Sequence, residues 1–331
     1  MEYTNQEKEF LIRYEQNKGM YEAWGDYVKE TIYNNVGNII RKKEISPTCF
    51  FKISPQARIK DELSLVVKAF RRNKNYRDPW NDITDKVGCR FVVLLLSDIK
   101  IVQQAIEDSS TIWNISHDRD FIKEKTNNPE KFAYQSQHYV LRNIHPIKHN
   151  EITIEPGTPC EVQIRTLMQH AYSELTHDTI YKSKFNRLNE IIRITSRCSA
   201  LIESTDELFE QATNTLNNID KMYQDVFDST ARFIKDNQLT RNDIYNNEEI
   251  LKKLICIWDS SKIEEYKCFL NEIALDYTSS NPLIINEANL QMLFFVCRHR
   301  RFFEKSIDEL GLSEDDYEYV YIAAGALKPS L

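Results

Sequence analysis

The sequence predicts an α+β protein in which a mixed β-sheet is flanked by helices and followed by an all-α C-terminal region. Three segments support this prediction: the apolar run GCRFVVLLLSD at 88–98, the alternating stretch CEVQIRT at 160–166, and the periodic segment 187–235. The first is typical of a buried strand, and the second of a strand with one buried face, because side chains alternate across a strand. The third has the periodicity of long helices.

Further elements are expected around these strands. Residues 5–45 and 58–70 have apolar side chains at helical spacing, and QSQHYVLRNI at 135–144 alternates as another strand. The segment after CEVQIRT is expected to turn directly into a helix. No strand pattern follows that helix, and residues 247–331 are predicted to form several shorter amphipathic helices.

Composition limits the classes of function. The net charge is −7, so affinity for a polyanion would need a local basic patch. The seven glycines form neither a P-loop nor a G-x-G-x-x-G fingerprint. The seven cysteines include no C-x-x-C pair, which argues against a zinc module or a disulfide framework and favours a reducing compartment. No apolar run is long enough to span a membrane, so we expect a cytoplasmic protein.

Polar residues are concentrated in four stretches at predicted strand ends and helix starts. Residues 52–77 contain eight basic and two acidic side chains, which favours phosphate binding by the cluster, although a solvated helix face explains any single lysine better. The stretch DITDKVGCR at 82–90 places a carboxylate and an arginine around a glycine, as a site or as a simple turn cap. FAYQSQHYV at 132–140 and CEVQIRT at 160–166 are the other two stretches.

Together these stretches contain the components of magnesium-dependent phosphate transfer. Asp85 and Glu161 supply two carboxylates, and Tyr134 supplies an aromatic ring for stacking. Mg²⁺ takes oxygen ligands and usually one or two protein carboxylates, while nucleotide phosphates fill other positions. Basic side chains offset charge on the transferred group. The residue types indicate this class of reaction and leave its substrates open.

The order and spacing of the four stretches resemble the RelA/SpoT (p)ppGpp synthetase domain, found in small alarmone synthetases and their toxic relatives. The family motifs are matched by Arg58, Lys60, Ser64 and Lys68; by Asp85, Gly88 and Arg90; by Tyr134, Ser136 and His138; by Glu161, Gln163, Ile164, Arg165 and Thr166; and by His177, Tyr181 and Lys182. The resemblance covers roughly residues 45–185. It implies a RelA/SpoT nucleotidyltransferase-like synthetase domain with trailing helices at 46–235, between N-terminal helices at 1–45 and a helical domain at 247–331.

The resemblance also implies a role for each matched residue. Arg58 and Arg90 would hold the ATP adenine between them, and Lys60, Ser64 and Lys68 would bind its triphosphate. Asp85 and Glu161 would be the catalytic pair and would bind Mg²⁺, with Glu161 also acting as the base on the acceptor 3′-hydroxyl. The acceptor side would be formed by Tyr134, Ser136, His138, Gln163, Arg165 and His170.

The implied reaction moves pyrophosphate from ATP to the 3′-hydroxyl of a nucleotide, with GDP or GTP as the expected acceptor, and releases AMP. Two departures leave the acceptor open: Ala133 and His170 stand where guanine-specific relatives commonly have Gly and Asn. The family also includes toxins that modify the 3′ end of tRNA. A basic surface for tRNA is offered by Arg71, Arg72, Lys74, Arg77 and residues 41–43, for which a solubilising role is an equally good interpretation.

A third alternative is a catalytically silent module that binds a nucleotide or a partner. The presence of both Asp85 and Glu161 argues against it, because a binding module does not need the two carboxylates. The pairs His117-Asp118 and His177-Asp178 do not indicate an alarmone hydrolase, since that activity belongs to a separate preceding domain in long family members. The expected partners are ATP and the acceptor, with an antitoxin or a second copy of the chain as further candidates, and neither DNA nor a membrane is expected. Residues 247–331 have no family counterpart that we can place, and we interpret them as a regulatory module.

Overall fold

The computed structural model describes residues 3–41, 45–72, 76–119, 126–127, 130, 136–176, 188–236, 261 and 263–268. The chain divides into two compact units, Met1–Gln211 and Ala212–Leu331. The first unit contains the β-sheet and the candidate site. In the second, the described residues 212–236, 261 and 263–268 are helical. The rest of the predicted domain at 247–331 lies outside the described residues, so its regulatory role stays a prediction.

A five-stranded mixed sheet forms the centre of the first unit. Its strands are β1 (Ile53–Ile59), β2 (Val87–Val93), β3 (Trp113–Arg119), β4 (Gln137–Asn143) and β7 (Pro159–Thr166), in the spatial order β1-β2-β7-β4-β3. Strands β2 and β7 are parallel, and the other neighbours are antiparallel. A separate hairpin contains β5 (Ile147–His149) and β6 (Ile152–Ile154). The predicted α+β class with a mixed sheet is confirmed.

Helices surround this sheet in the described part of the chain. They are α1 (Asn5–Ile40), α2 (Pro47–Phe50), α3 (Glu62–Val66), α4 (Pro79–Asp82), α5 (Leu96–Glu107), α6 (Leu167–Leu175) and α7 (Asn189–Asp236). A π-helical turn, Val67–Arg71, continues α3. None of the described helices is both long and apolar enough to cross a membrane. The long helices predicted at 5–45 and 187–235 are borne out by α1 and α7.

The core lies between α1 and one face of the sheet. Trp24 of α1 is fully buried and packs edge-to-face on Trp113 of β3, with 6.2 Å between the ring centroids. The side chains of Cys89, Phe91 and Val93 on β2 are buried in the same core. Since side chains alternate along a strand, the residues between them lie on the opposite face. That second face carries the candidate site.

Two predicted elements have different boundaries in the structure. The helix predicted at 58–70 is wrong in its first residues, because Arg58 and Ile59 end strand β1. The helix begins only at Glu62, after Asp61 accepts hydrogen bonds from the backbone N–H groups of the first turn. The buried strand predicted at 88–98 ends at Val93, and its last residues begin α5. Strands β1 and β3 and the β5–β6 hairpin were not predicted.

Candidate active site

The register of the sheet brings the predicted site residues into two neighbouring rows. Arg58, Gly88 and Glu161 are aligned across β1, β2 and β7. In the next row, Arg90, Gln163 and His138 are aligned across β2, β7 and β4. All of these positions alternate with the core-facing residues of their strands. Four separate sequence motifs therefore share one face of the sheet.

Gly88 is required at the point where β2 passes Glu161. A methyl group added to Gly88 would lie 3.0 Å from the backbone oxygen of Glu161 and 3.6 Å from its Cβ. The nearest of these atoms belongs to a paired strand backbone, so it has little freedom to move away. Glycine at this position therefore allows the Glu161 strand to lie directly beside β2.

Asp85 lies just before β2 and is held between two lysines. Its Oδ2 is 2.7 Å from Nζ of Lys60 and 2.8 Å from Nζ of Lys68. Burial raises the pKa of Asp85, but the two ammonium groups lower it more, so the pKa lies below its ordinary value. Asp85 is therefore ionised at neutral pH. Its Oδ1 is buried without a hydrogen-bond partner in the described part of the chain.

The other two residues expected to contact ATP on this side are exposed. Arg58 is on β1, in the row of Glu161, and Ser64 is in the first turn of α3. The backbone N–H of Ser64 donates to Asp61 at 3.0 Å. The structure brings Lys60 and Lys68 together around Asp85 and leaves Arg58 and Ser64 accessible to solvent.

Glu161 is partly buried, and its carboxylate contacts a histidine and a glutamine instead of lysines. Nδ1 of His138 lies 3.1 Å from its Oε1, and Nε2 of Gln163 donates to its Oε2 at 2.9 Å. Burial raises the pKa of Glu161, but the hydrogen bond and the charge interaction with His138 lower it more, so the pKa falls below its ordinary value. Glu161 is therefore available at neutral pH as a carboxylate base or a metal ligand.

Arg165 is buried, with 3% of its surface exposed, and supports Gln163 from within. Its Nη2 donates to Oε1 of Gln163 at 2.5 Å, Nε donates to Oγ of Ser136 at 3.2 Å, and Nη1 donates to Oγ of Ser173 at 2.7 Å. Because Gln163 accepts from Arg165, its NH₂ group is turned toward Glu161. The sequence placed Ser136 and Arg165 on the acceptor side, and the structure places both in the interior behind Glu161.

Arg90 and His170 meet at the junction of β2 and α6. Nη1 of Arg90 donates to Oε1 of Glu174 at 2.7 Å and lies 3.4 Å from Nδ1 of His170. The resemblance assigns Arg90 to ATP and His170 to the acceptor, and the structure places the two side chains next to each other. Burial and the neighbouring Arg90 charge lower the pKa of His170. A neutral His170 can then lie beside a guanidinium group without charge repulsion.

Several predicted residues lie outside the described residues. They are Tyr134, expected to stack on the acceptor, together with Ala133, His177, Tyr181 and Lys182. Lys74 of the predicted basic surface is also outside. Arg71 of that surface is described, and its Nε donates at 2.9 Å to Oε1 of Glu7, a buried carboxylate on α1. Arg71 therefore serves at least partly to attach the π-helical turn to α1.

The carboxylates fit a Mg²⁺ site of the kind that substrate phosphates complete. The described residues contain no group of three or more His, Cys, Asp or Glu side chains able to hold a metal ion. The negative charge of Asp85 raises the pKa of Glu161, and the effects of His138 outweigh it. Two ionised carboxylates and the buried, unpartnered Oδ1 of Asp85 are suitable oxygen ligands for Mg²⁺.

Sequence reasoning did not identify Ser173, the Arg90 contact of Glu174, or Asp206. Ser173 accepts from Arg165, and Asp206 of α7 accepts at 2.8 Å from the hydroxyl of Thr166, which caps α6. His170 and Glu174 are four residues apart in the sequence, and this helical spacing places them on one face of α6. No local pattern marks Ser173 or Asp206, since their partners lie on other elements.

Comparison with known proteins agrees with this geometry. A family model described as "Region found in RelA / SpoT proteins" matches residues 57–186, less than half of the chain. No curated protein matches the sequence. The fold is similar to small alarmone synthetase 1 from Bacillus subtilis, with a TM-score of 0.50 and 20% identity over 62% of this chain and 98% of that one. The structure of that synthetase bound to its product pppGpp gives a TM-score of 0.51 at 19% identity, over 62% of this chain and 98% of that one.

The family match begins within β1 and ends beyond α6, so it contains every described residue of the candidate site. The solved structures support the same arrangement at the level of the fold. Residues 57–186 therefore match the region found in RelA/SpoT proteins, and the fold is similar to that of the small alarmone synthetases.

Proposed function

We propose that the protein is an ATP-dependent pyrophosphokinase that transfers pyrophosphate from ATP to the 3′-hydroxyl of GDP or GTP and releases AMP. The observation that supports this most directly is the pair of ionised carboxylates, Asp85 and Glu161, on one face of a RelA/SpoT domain. Asp85 is accompanied by two lysines that suit phosphate, and Glu161 has no lysine partner among the described residues.

Glu161 is proposed to take the proton from the acceptor 3′-hydroxyl. The acceptor oxygen then bonds to the β-phosphorus of ATP while the bond from that phosphorus to the oxygen bridging to the α-phosphorus breaks, and AMP leaves with the bridging oxygen. Lys60 and Lys68 would stabilise the triphosphate, and Arg58 and Arg90 would hold the adenine. His138 and Gln163 keep the Glu161 carboxylate oriented during the proton transfer.

Asp85 and Glu161 are the residues that would hold Mg²⁺. When bound, this cofactor would offset the charge on the transferred pyrophosphoryl group. In the structure, Lys60 and Lys68 balance the charge of Asp85. Binding of a triphosphate would draw the two lysines toward its oxygens and leave Asp85 available to the cation.

A guanine nucleotide is proposed as the acceptor because the fold matches a synthetase whose structure contains pppGpp as its product. The tRNA alternative is less well supported, since Arg71 of the predicted basic surface is paired with Glu7. We also propose a cytoplasmic location, since the five described cysteines are free thiols, which is typical of a reducing compartment. The further partners that we propose are an antitoxin and a second copy of the chain.

The test is to incubate the full chain with γ-labelled ATP and Mg²⁺, separately with GDP, GTP, ATP or bulk tRNA. Label transfer to GDP or GTP with equimolar AMP release is the expected result. Transfer only to tRNA would identify the toxin activity instead. Nucleotide binding without AMP release for any acceptor would contradict the proposed reaction and favour a binding module. Glu155→Gln, a change at an exposed glutamate, serves as the active control.

A further inference from the structure

The segment that presents Asp85 is fixed by a tyrosine from the N-terminal helix. The hydroxyl of Tyr14 on α1 donates to the backbone oxygen of Lys60 at 2.7 Å and lies 3.3 Å from the backbone oxygen of Lys86. The N–H of Lys60 also donates to the oxygen of Lys86 at 3.0 Å. Tyr14 is fully buried. Its hydroxyl thus joins the two chain segments whose side chains form the Lys60–Asp85 ion pair.

The side chain of Lys86 fixes the same segment from the other side. It is 1% exposed, and its Nζ donates to the backbone oxygens of Trp80 at 2.5 Å and Ile83 at 2.6 Å. The ammonium group also lies 5.0 Å from the centre of the Trp80 ring. A buried ammonium group is costly unless it is well compensated, so these contacts give it one defined position. They attach the α4 turn to the residue directly after Asp85.

The contacts of the Tyr14 hydroxyl and of the Lys86 ammonium group are side-chain hydrogen bonds, outside the backbone pairing of the β-sheet. Asp85 and Lys86 lie in the turn between α4 and β2, where the backbone hydrogen bond from the N–H of Lys60 to the oxygen of Lys86 is the last one between the β1 and β2 segments. A carboxylate that exchanges lysine partners for a cation needs a backbone that does not shift during the exchange. The hydroxyl of Tyr14 and the ammonium group of Lys86 provide that restraint.

We propose that Tyr14 and Lys86 are positioning residues that hold Asp85 for Mg²⁺–nucleotide binding, an inference that rests on the proposed function. We call these two residues the Asp85 clamp. Tyr14 lies on α1, outside the region that matches the RelA/SpoT family model. The clamp therefore gives the N-terminal helix a role in positioning Asp85. Neither residue contacts the reacting groups, and both act through the position of Asp85.

The chain offers a matched control for Tyr14. Tyr21 is on the same helix, is also buried, and lies 6.1 Å from Tyr14 between ring centroids. Its hydroxyl makes no hydrogen bond within the described ranges. Tyr14→Phe and Tyr21→Phe each remove one hydroxyl from the same aromatic cluster, and only the first removes a bond to the Asp85 segment. Lys86→Gln is the second test variant, because a shorter neutral side chain loses at least one of the two carbonyl contacts.

The experiment measures binding of a non-hydrolysable ATP analogue to the full chain by calorimetry, with and without Mg²⁺, together with amide hydrogen exchange of residues 82–88. Tyr14→Phe is expected to weaken the Mg²⁺-dependent affinity about tenfold and to leave Mg²⁺-free binding unchanged, as loss of an outer-shell contact typically does. It should also speed exchange at residues 82–88. Lys86→Gln should act in the same direction, and Tyr21→Phe should do neither.

Equal Mg²⁺-dependent affinities of Tyr14→Phe and the wild-type protein would overturn the clamp. Equal losses in Tyr14→Phe and Tyr21→Phe would also overturn it, since they would reflect general destabilisation. Failure of the wild-type protein to bind the analogue would contradict the proposed function instead. In that case amide hydrogen exchange tests the clamp. Faster exchange at residues 82–88 in Tyr14→Phe but not in Tyr21→Phe supports it, and equal exchange rates in the two variants refute it.

Discussion

The Asp85 end and the Glu161 end of the site keep their carboxylates ionised by different means. Asp85 is balanced by the full charges of Lys60 and Lys68. Glu161 is held by His138 and by the amide of Gln163. Both pKa values lie below their ordinary range although burial acts in the opposite direction. The first environment is made of two lysine charges, and the second of two hydrogen bonds together with the charge interaction of one imidazole.

Asp206 of α7 is a buried carboxylate with a single hydroxyl donor, and its pKa differs from those of Asp85 and Glu161. It is 1% exposed, accepts one described hydrogen bond, from Thr166, and has a buried Oδ1 without a described partner. Burial raises its pKa to about 6, because the single hydroxyl offsets only part of that effect. The comparison teaches that in this fold burial raises the pKa of a carboxyl group unless its partners oppose the effect strongly enough. The partners of Asp85 and Glu161 therefore keep the pKa of each carboxyl group below its ordinary value.

The largest expected effect comes from Glu161→Gln, which removes the proposed base and a metal ligand. We expect the variant to fold and its AMP-forming turnover to fall at least about 10²–10⁴-fold. Circular dichroism checks the fold, and AMP release measures turnover. If the variant kept more than about a tenth of wild-type turnover, the distinction between the two ends would fail, because Glu161 would have no special chemical role.

Asp85→Asn should reduce turnover by on the order of 10²-fold at low Mg²⁺, with partial recovery as Mg²⁺ is raised. The same change frees Lys60 and Lys68 from their carboxylate. We therefore expect binding of the ATP analogue without Mg²⁺ to become tighter than in the wild-type protein. Calorimetry in the presence of a chelator measures this. Weaker Mg²⁺-free binding would show that the lysines do not exchange between Asp85 and phosphate.

Arg165→Lys should lower kcat about tenfold to a hundredfold and change the KM for ATP little, because it disturbs the support behind Glu161. A lysine cannot reproduce the three donor contacts of the guanidinium group. Arg142→Lys is the matched control on β4, since the hydrogen bond of Arg142 goes to the backbone oxygen of Gly157 and not to a candidate site residue. Steady-state kinetics of both variants test this. An equal rise in KM for ATP would place Arg165 on the ATP side.

Asp206→Asn should be the mildest change, and it should stabilise the protein. Asp206 has a raised pKa in the folded state, so the free energy of unfolding falls as the pH rises from about 4 to about 6. Asparagine avoids this loss, so the variant should be more stable at pH 7 by on the order of 1–2 kcal/mol and should lose that advantage near pH 4. Urea unfolding at both pH values measures the difference, with Asp220→Asn at an exposed position of α7 as control. A variant less stable than wild type at pH 7 would show that the carboxylate is better accommodated than its contacts indicate.

Local patterns predicted much of this fold. The long helices α1 and α7, the strands β2, β4 and β7, and the direct turn into α6 follow from hydrophobic periodicity. Strand β1 was missed because ISPQARI contains Pro and polar residues and only partly buries its inner face, so its alternation is weak. Its pairing with β2, which places Arg58 beside Gly88, compensates for that weak local preference.

The sequence by itself determined the candidate site residues, because motif spacing along strands and helices is a local property. It marked Lys60, Lys68, Asp85 and Glu161 as one chemical set. Only the tertiary structure decided which of these side chains meet, since their partners come from distant elements. Asp85 is paired with lysines of the β1–α3 region, and Tyr14 of α1 contacts the backbone oxygen of the next residue, Lys86. Burial likewise depends on packing of the whole unit, which places Arg165 behind Glu161 and leaves Arg58 exposed.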